Sequence, residues 1–89
     1  MERFTKRLEA NGFEIYPMGM IAGAGTDMLS ATFKAGKTEL NVIYGEHGSG
    51  ITARIDKPNG THKWAYDKTP AQLYSIIKQT LSFYGIKID

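Results

Sequence analysis

Four successive stretches between residues 29 and 66 alternate apolar and polar side chains with a period of two, and nothing else in the chain restricts the fold as strongly. Leu29, Ala31 and Phe33 face one way, with Ser30, Thr32 and Lys34 the other. Leu40, Val42 and Tyr44 alternate with Glu39, Asn41 and Ile43. Ile51, Ala53 and Ile55 alternate with Thr52, Arg54 and Asp56, and His62, Trp64 and Tyr66 with Thr61, Lys63 and Ala65. A strand turns successive side chains to opposite faces, so the pattern predicts an antiparallel meander with one buried face.

The turns set the register. Asn59-Gly60 carries the signature of a two-residue type I′ turn. With those residues as the loop, Ile55 pairs with Trp64, Ala53 with Tyr66 and Asp56 with Lys63, and the apolar faces coincide. A three-residue Pro58-Asn59-Gly60 loop instead sets Ile55 opposite Lys63 and turns the aromatics to the other face, because a slip of one residue inverts every side chain. The in-phase register is the expectation, although it deprives Pro58 of a flanking ladder bond. It places Trp64 and Tyr66 under the last helix, the alternative being stacking platforms next to Arg54, Lys57 and Lys63, and leaves Thr52, Arg54, Lys63 and Ala65 outside. Ala35-Gly36 is read as closing the preceding hairpin, also in phase.

Helices flank the meander. Residues 2–11 carry Phe4 and Leu8 four apart among charges, a short amphipathic helix that stops at Asn11-Gly12. A strand over 14–18 follows, with Ile15 and Tyr16. Thr69 suits an N-cap, Pro70 the first helical position, and Gln72 completes a capping box. Leu73, Ile76, Ile77, Thr80, Leu81 and Tyr84 then form one stripe, and Gly85 ends the helix. Ile86 and Ile88 alternate with Lys87 and Asp89, as in a short terminal edge strand. Residues 18–27 hold three glycines and fit neither a helix nor a strand interior. They are read as a mobile or ligand-contacting connection, with the end of a strand as the alternative. The expectation is an α+β fold: an antiparallel β-meander of four to five strands, flanked by a short N-terminal helix and a longer C-terminal helix, in a single compact domain over 1–89. Its expected core includes Val42, Ala53, Ile55, Trp64, Ile76, Ile77 and Leu81.

The order helix, meander, helix is similar to that of the double-stranded-RNA-binding domain. The likeness is one of topology. This chain has an extra strand, and its second helix starts Thr69-Pro70-Ala71-Gln72-Leu73 without that family's lysine cluster, so no family is assigned.

Composition narrows the function classes. A net charge of +2 excludes an acidic mimic of DNA and is too small to argue for nucleic-acid binding alone. With no cysteine, disulfides and thiolate metal sites are out. The charged N-terminus does not read as a secretory signal, and no stretch approaches the roughly 20 apolar residues of a membrane span. These features favour the cytoplasm.

The meander brings segment 19–27, loop 45–50 and the start of the helix at Thr69 to one end. Loop amides and a helix dipole suit an anion there, and Gly25, Thr26, Asp27, His47 and Ser49 are its candidate residues. Glycines in plain turns, with the helix end satisfied by Thr69, are the simpler reading. His47, Ser49 and Asp27 can be written as a triad, but catalysis needs them held by a rigid frame. Ala31 to Thr38 ends like a phosphate-binding loop but starts with Ala and lies in a hairpin, so it is rejected. His47 and His62 fall at opposite ends, which argues against a metal site. No cofactor and no enzymatic activity are expected.

The leading expectation is a small non-catalytic binding protein, a modulator or inhibitor of a larger protein or nucleoprotein assembly, as accessory proteins of phages and mobile elements often are. Arg54 and Lys63 on the outward face, with Lys57 beside them, are the candidate contacts to a protein partner. The alternatives are nucleic-acid binding through those basic residues, and a small anion or nucleotide at the glycine-rich end.

Overall fold

A computed structural model describes residues 1–20 and 27–89. In chain order the elements are α1 (Glu2–Ala10), β1 (Glu14–Met20), β2 (Asp27–Ala35), β3 (Thr38–His47), β4 (Gly50–Asp56), β5 (His62–Lys68) and α2 (Pro70–Phe83). The five strands form one antiparallel sheet in sequence order. The α+β architecture expected from the sequence is therefore present. Strand β1 runs past Pro17 to Met20, with a register shift between Pro17 and Gly19. Pro17 is tolerated because β1 is an outer strand of the sheet. Residues 18–20 and Asp27 are thus strand; the rest of the 18–27 segment lies outside the described residues.

Each hairpin differs from its sequence reading in a way that turn chemistry explains. Ala35 pairs with Thr38, so the β2–β3 turn is Gly36-Lys37, not Ala35-Gly36. Gly36 has φ +60, the first position of a type II′ turn, where glycine is favoured. That moves the pairing by two residues and keeps every side chain on its expected face. The β3–β4 connection is also shorter than the 45–50 loop expected. Gly45, Glu46 and His47 belong to β3, Gly50 to β4, and only Gly48-Ser49 turns the chain, with φ +64 at Gly48.

The β4–β5 hairpin overturns the expected register. Its loop is Pro58-Asn59-Gly60. Lys57 N–H donates to the Thr61 carbonyl at 2.8 Å, Gly60 N–H to the Lys57 carbonyl at 3.0 Å, and Gly60 has φ +88. Proline is preset for the first central position of a type I turn, and glycine for the left-handed residue that follows it. Asn59 Oδ1 accepts from Thr61 N–H at 3.0 Å and from the Thr61 hydroxyl at 2.7 Å, which locks the loop. Ile55 consequently pairs with Lys63, Arg54 with Trp64 and Ala53 with Ala65. Trp64 and Tyr66 leave the core and Ala65 enters it.

The core lies between the helices and one sheet face. Leu40, Val42, Tyr44, Ile51, Ala53 and Ile55 supply its floor; Phe4 and Leu8 of α1 and Leu73, Tyr74, Ile77 and Leu81 of α2 supply its roof. Phe4 packs edge-on to Tyr44 at 5.1 Å and to Tyr74 at 6.3 Å between ring centres. The Tyr44 hydroxyl bonds Thr5 Oγ1 at 2.7 Å. Burial pushes its phenol above the usual value, against the opposing effect of that bond. Ile76 is only half-buried at the margin.

Both helices close alike. Gly12 and Gly85 are left-handed, and Phe13 and Ile86 return their N–H groups to the Leu8 and Leu81 carbonyls, each a Schellman motif with an apolar residue folded back on the last turn. Helix α2 starts with the expected capping box between Thr69 and Gln72. No terminal edge strand forms. The tail crosses toward α1 instead, with Ile88 buried, Tyr74 O–H donating to the Asp89 carbonyl at 2.7 Å and Asp89 N–H donating to Asn11 Oδ1 at 2.9 Å.

Beside the Gly48-Ser49 turn, β5 bulges over β4, with Asp67 at φ +51. A Cβ on Gly50 would stand 2.8 Å from the Asp67 backbone. Gly50→Ala is expected to cost about 1–3 kcal/mol by denaturant unfolding, through forced displacement of β5. A loss below about 0.5 kcal/mol would mean that β5 does not approach β4 in this way.

Candidate functional site

Both helices cover the same sheet face, so the other carries no helix among the described residues. Residues opposite one another in the ladders form a row across it: Tyr16, Ser30, Ile43, Arg54 and Trp64. A second row runs Glu14, Thr32, Asn41, Asp56 and His62. Tyr16, Met18, Trp64 and Tyr66 are 56, 46, 48 and 60% exposed. Trp64 and Tyr66, two apart on β5, lie 5.9 Å between ring centres and within 7° of parallel. This pair is the largest feature of the face.

Polar groups stiffen the surface around it. Asn41 Nδ2 donates to Ser30 Oγ at 2.9 Å and to Thr32 Oγ1 at 2.8 Å. Arg54 Nη2 donates to Asp56 Oδ2 at 3.1 Å, and its Nε stands 3.0 Å from Oδ1. Tyr16 O–H donates to Glu14 Oε2 at 2.9 Å, a bond that, with the carboxylate's charge, raises its phenol above the usual value. The cations on this face are thus spoken for: Arg54 by Asp56, and Lys34 by Glu39 at 3.5 Å. With Glu14 added, the face is not basic.

The expected site residues do not assemble into one place. Arg54 is on the open face, whereas Lys63, opposite Ile55, is on the helix side. Lys57 begins the β4–β5 hairpin loop and joins Lys63, not Arg54. The core position expected for Trp64 and Tyr66 is wrong and the alternative of exposed rings holds; the exposure of Tyr16 and Met18 has no counterpart in the sequence reading. Pro58 was the signal for the β5 pair.

At the other end, the Gly48-Ser49 turn does meet the start of α2. A cavity of 310 Å³ lies there, bordered by Glu46, Ser49, Lys68 and Thr69. A carboxylate, Glu46, points to it with the N-terminal amine 4.0 Å away, and the Thr69 hydroxyl already accepts the Gln72 N–H at 3.1 Å. The helix end is capped by Thr69 and the charge around the cavity is mixed. His47 sits at the end of β3, exposed, and Asp27 at the start of β2; neither borders the cavity. Gly25 and Thr26 lie outside the described residues. Among the described residues no cluster of three or more His, Asp or Glu side chains could hold a metal ion, and no helix is long and apolar enough to cross a membrane.

Comparison with known proteins gives no match to a family model, a curated protein or a solved structure. The reading of the site therefore rests on its geometry.

If Trp64 and Tyr66 are surface residues, replacing both with serine should cost under about 1.5 kcal/mol, the worth of one aromatic pair. A loss of about 3–5 kcal/mol per residue in chemical denaturation would put them in the core.

Proposed function

We propose that this protein is a non-catalytic binding module that docks on another protein through its open sheet face, anchored by Trp64 and Tyr66. The observation that carries this reading is the exposed, parallel aromatic pair on a face that neither helix covers. Large amphipathic rings standing free of the core are the side chains that contribute most when an interface closes over them. The surrounding Asn41 and Arg54–Asp56 contacts hold the face in one shape before a partner arrives, which lowers the entropy lost on binding. Its mixed, internally paired charge suits a protein surface. A nucleic acid would call for unpaired cations aligned along a phosphate backbone. A module of this kind acts by covering part of its partner, in keeping with a modulator or inhibitor of a larger assembly in the cytoplasm.

The test is capture from a host lysate with tagged wild-type protein and a Trp64→Ala/Tyr66→Ala variant, with and without nuclease. Partners should survive nuclease and be lost from the variant while its melting temperature stays near that of the wild type. Equal capture by both proteins would refute the open-face reading. Capture abolished by nuclease would transfer the function to nucleic acid.

A further inference from the structure

The register that exposes Trp64 also builds a second surface on the other side of β5. Lys63 faces the helix side, and between the β4–β5 hairpin and the second half of α2 runs a groove of 350 Å³. Lys57 and Lys63 stand on its strand wall, and Ile76, Thr80 and Phe83 on its helix wall. Phe83 is 84% exposed, the largest exposure among the large apolar residues described. No carboxylate borders the groove, and neither lysine is in an ion pair among the described residues.

The same groove runs beside a free strand edge. The sheet ends at β1 and β5. Pro17 and the register shift after it blunt the β1 edge. Strand β5 has no proline, and its ladder is regular from His62 to Ala65. The Lys57–Thr61 bond fixes which groups point where, because antiparallel bonds alternate. Lys63 and Ala65 direct their backbone groups to β4, and His62, Trp64 and Tyr66 direct theirs to the free edge.

We propose that the β5 edge takes up an extended acidic segment of the partner protein as a sixth strand. This rests on the reading that the partner is a protein. Side chains of an added strand alternate between two faces. Those on the helix side enter the groove, where carboxylates meet Lys57 and Lys63 and the methylene stems that carry them lie along Phe83. Those on the other side lie beside Trp64 and Tyr66. The unpaired lysines decide the chemistry. They repel a second basic strand, including another copy of β5 with its own Lys63 and Lys68, and they favour an acidic one.

The probe is a short blocked peptide alternating glutamate with leucine, labelled for fluorescence anisotropy, on the full chain. It should bind, and a Lys57→Glu/Lys63→Glu variant should bind it at least about tenfold more weakly. Phe83→Ser, at an exposed position, should weaken it without altering the melting temperature. The matching lysine–leucine peptide should not bind. Amide exchange should slow at His62, Trp64 and Tyr66 in the complex. Failure of the acidic peptide to bind, equal binding by the charge-reversed variant, or protection elsewhere would overturn the proposal. So would an oligothymidylate that displaces the peptide through the same lysines, since that would mark a general polyanion surface. Partner capture lost with Trp64→Ala/Tyr66→Ala but unchanged with Lys57→Glu/Lys63→Glu would overturn the sixth strand and leave the open-face reading in place.

Discussion

The hydrogen bond from Lys57 N–H to the Thr61 carbonyl, at 2.8 Å, closes a loop of three residues, and the parity of that number decides which side of the sheet carries the aromatics. A loop of two residues would send Trp64 and Tyr66 under the helices. With three, Ala65 takes the inward place opposite Ala53, and the rings of its neighbours turn outward. The small Ala53–Ala65 pair leaves room for α2, which packs over β4 and β5. Filling the same place with a tyrosine, as the two-residue loop would with Tyr66, would require the helix to lift. The turn and the helix packing therefore demand the same register, and agreement between local and global preferences is what selects a single native pairing.

The outcome is a protein with two unlike sides. One side is consumed by the core: aliphatic residues of three central strands beneath a roof of two helices, tied at its edge by Tyr74, Asn11 and the returning tail. The other side is a pleated surface with its charges paired in place and its largest rings free. In a small domain the core has little surplus to spend on a second apolar layer, so rings left outside it are available to a partner.

The alternation in β2, β3 and β4 was legible because burial on one face writes a period of two into the sequence. Capping at Thr69 and the glycine stops at residues 12 and 85 were legible because their chemistry is local. The β2–β3 turn was placed one residue early, at Ala35-Gly36, yet no side chain changed face, since the pairing moved by two. The β5 face was lost for the opposite reason. Trp64 and Tyr66 alternate as well as any buried pair, and periodicity reports that two faces differ without saying which is wet. Only the turn could decide, and Pro58 outweighs the Asn59-Gly60 signal because a fixed φ suits a type I turn. The end of β1 beyond residue 18 is only the second reading of a glycine-rich segment, and Tyr74 is hidden by its place beside the main stripe of α2, where Arg7 of α1 covers its ring at 3.6 Å. Of the candidate contacts, Arg54 and Lys63 share a face in the two-residue register, and the three-residue loop places them on opposite faces.

The function proposed for the open face and for the β5 edge depends on that parity, and the single tryptophan of the chain reports it directly. Its fluorescence in the folded protein, with acrylamide as quencher, separates the two registers in one experiment. A tryptophan on the open face emits toward the red and is quenched readily before unfolding, with little further change when denaturant is added. Blue-shifted emission protected from acrylamide, moving to the red only on unfolding, would place Trp64 in the core and contradict the account.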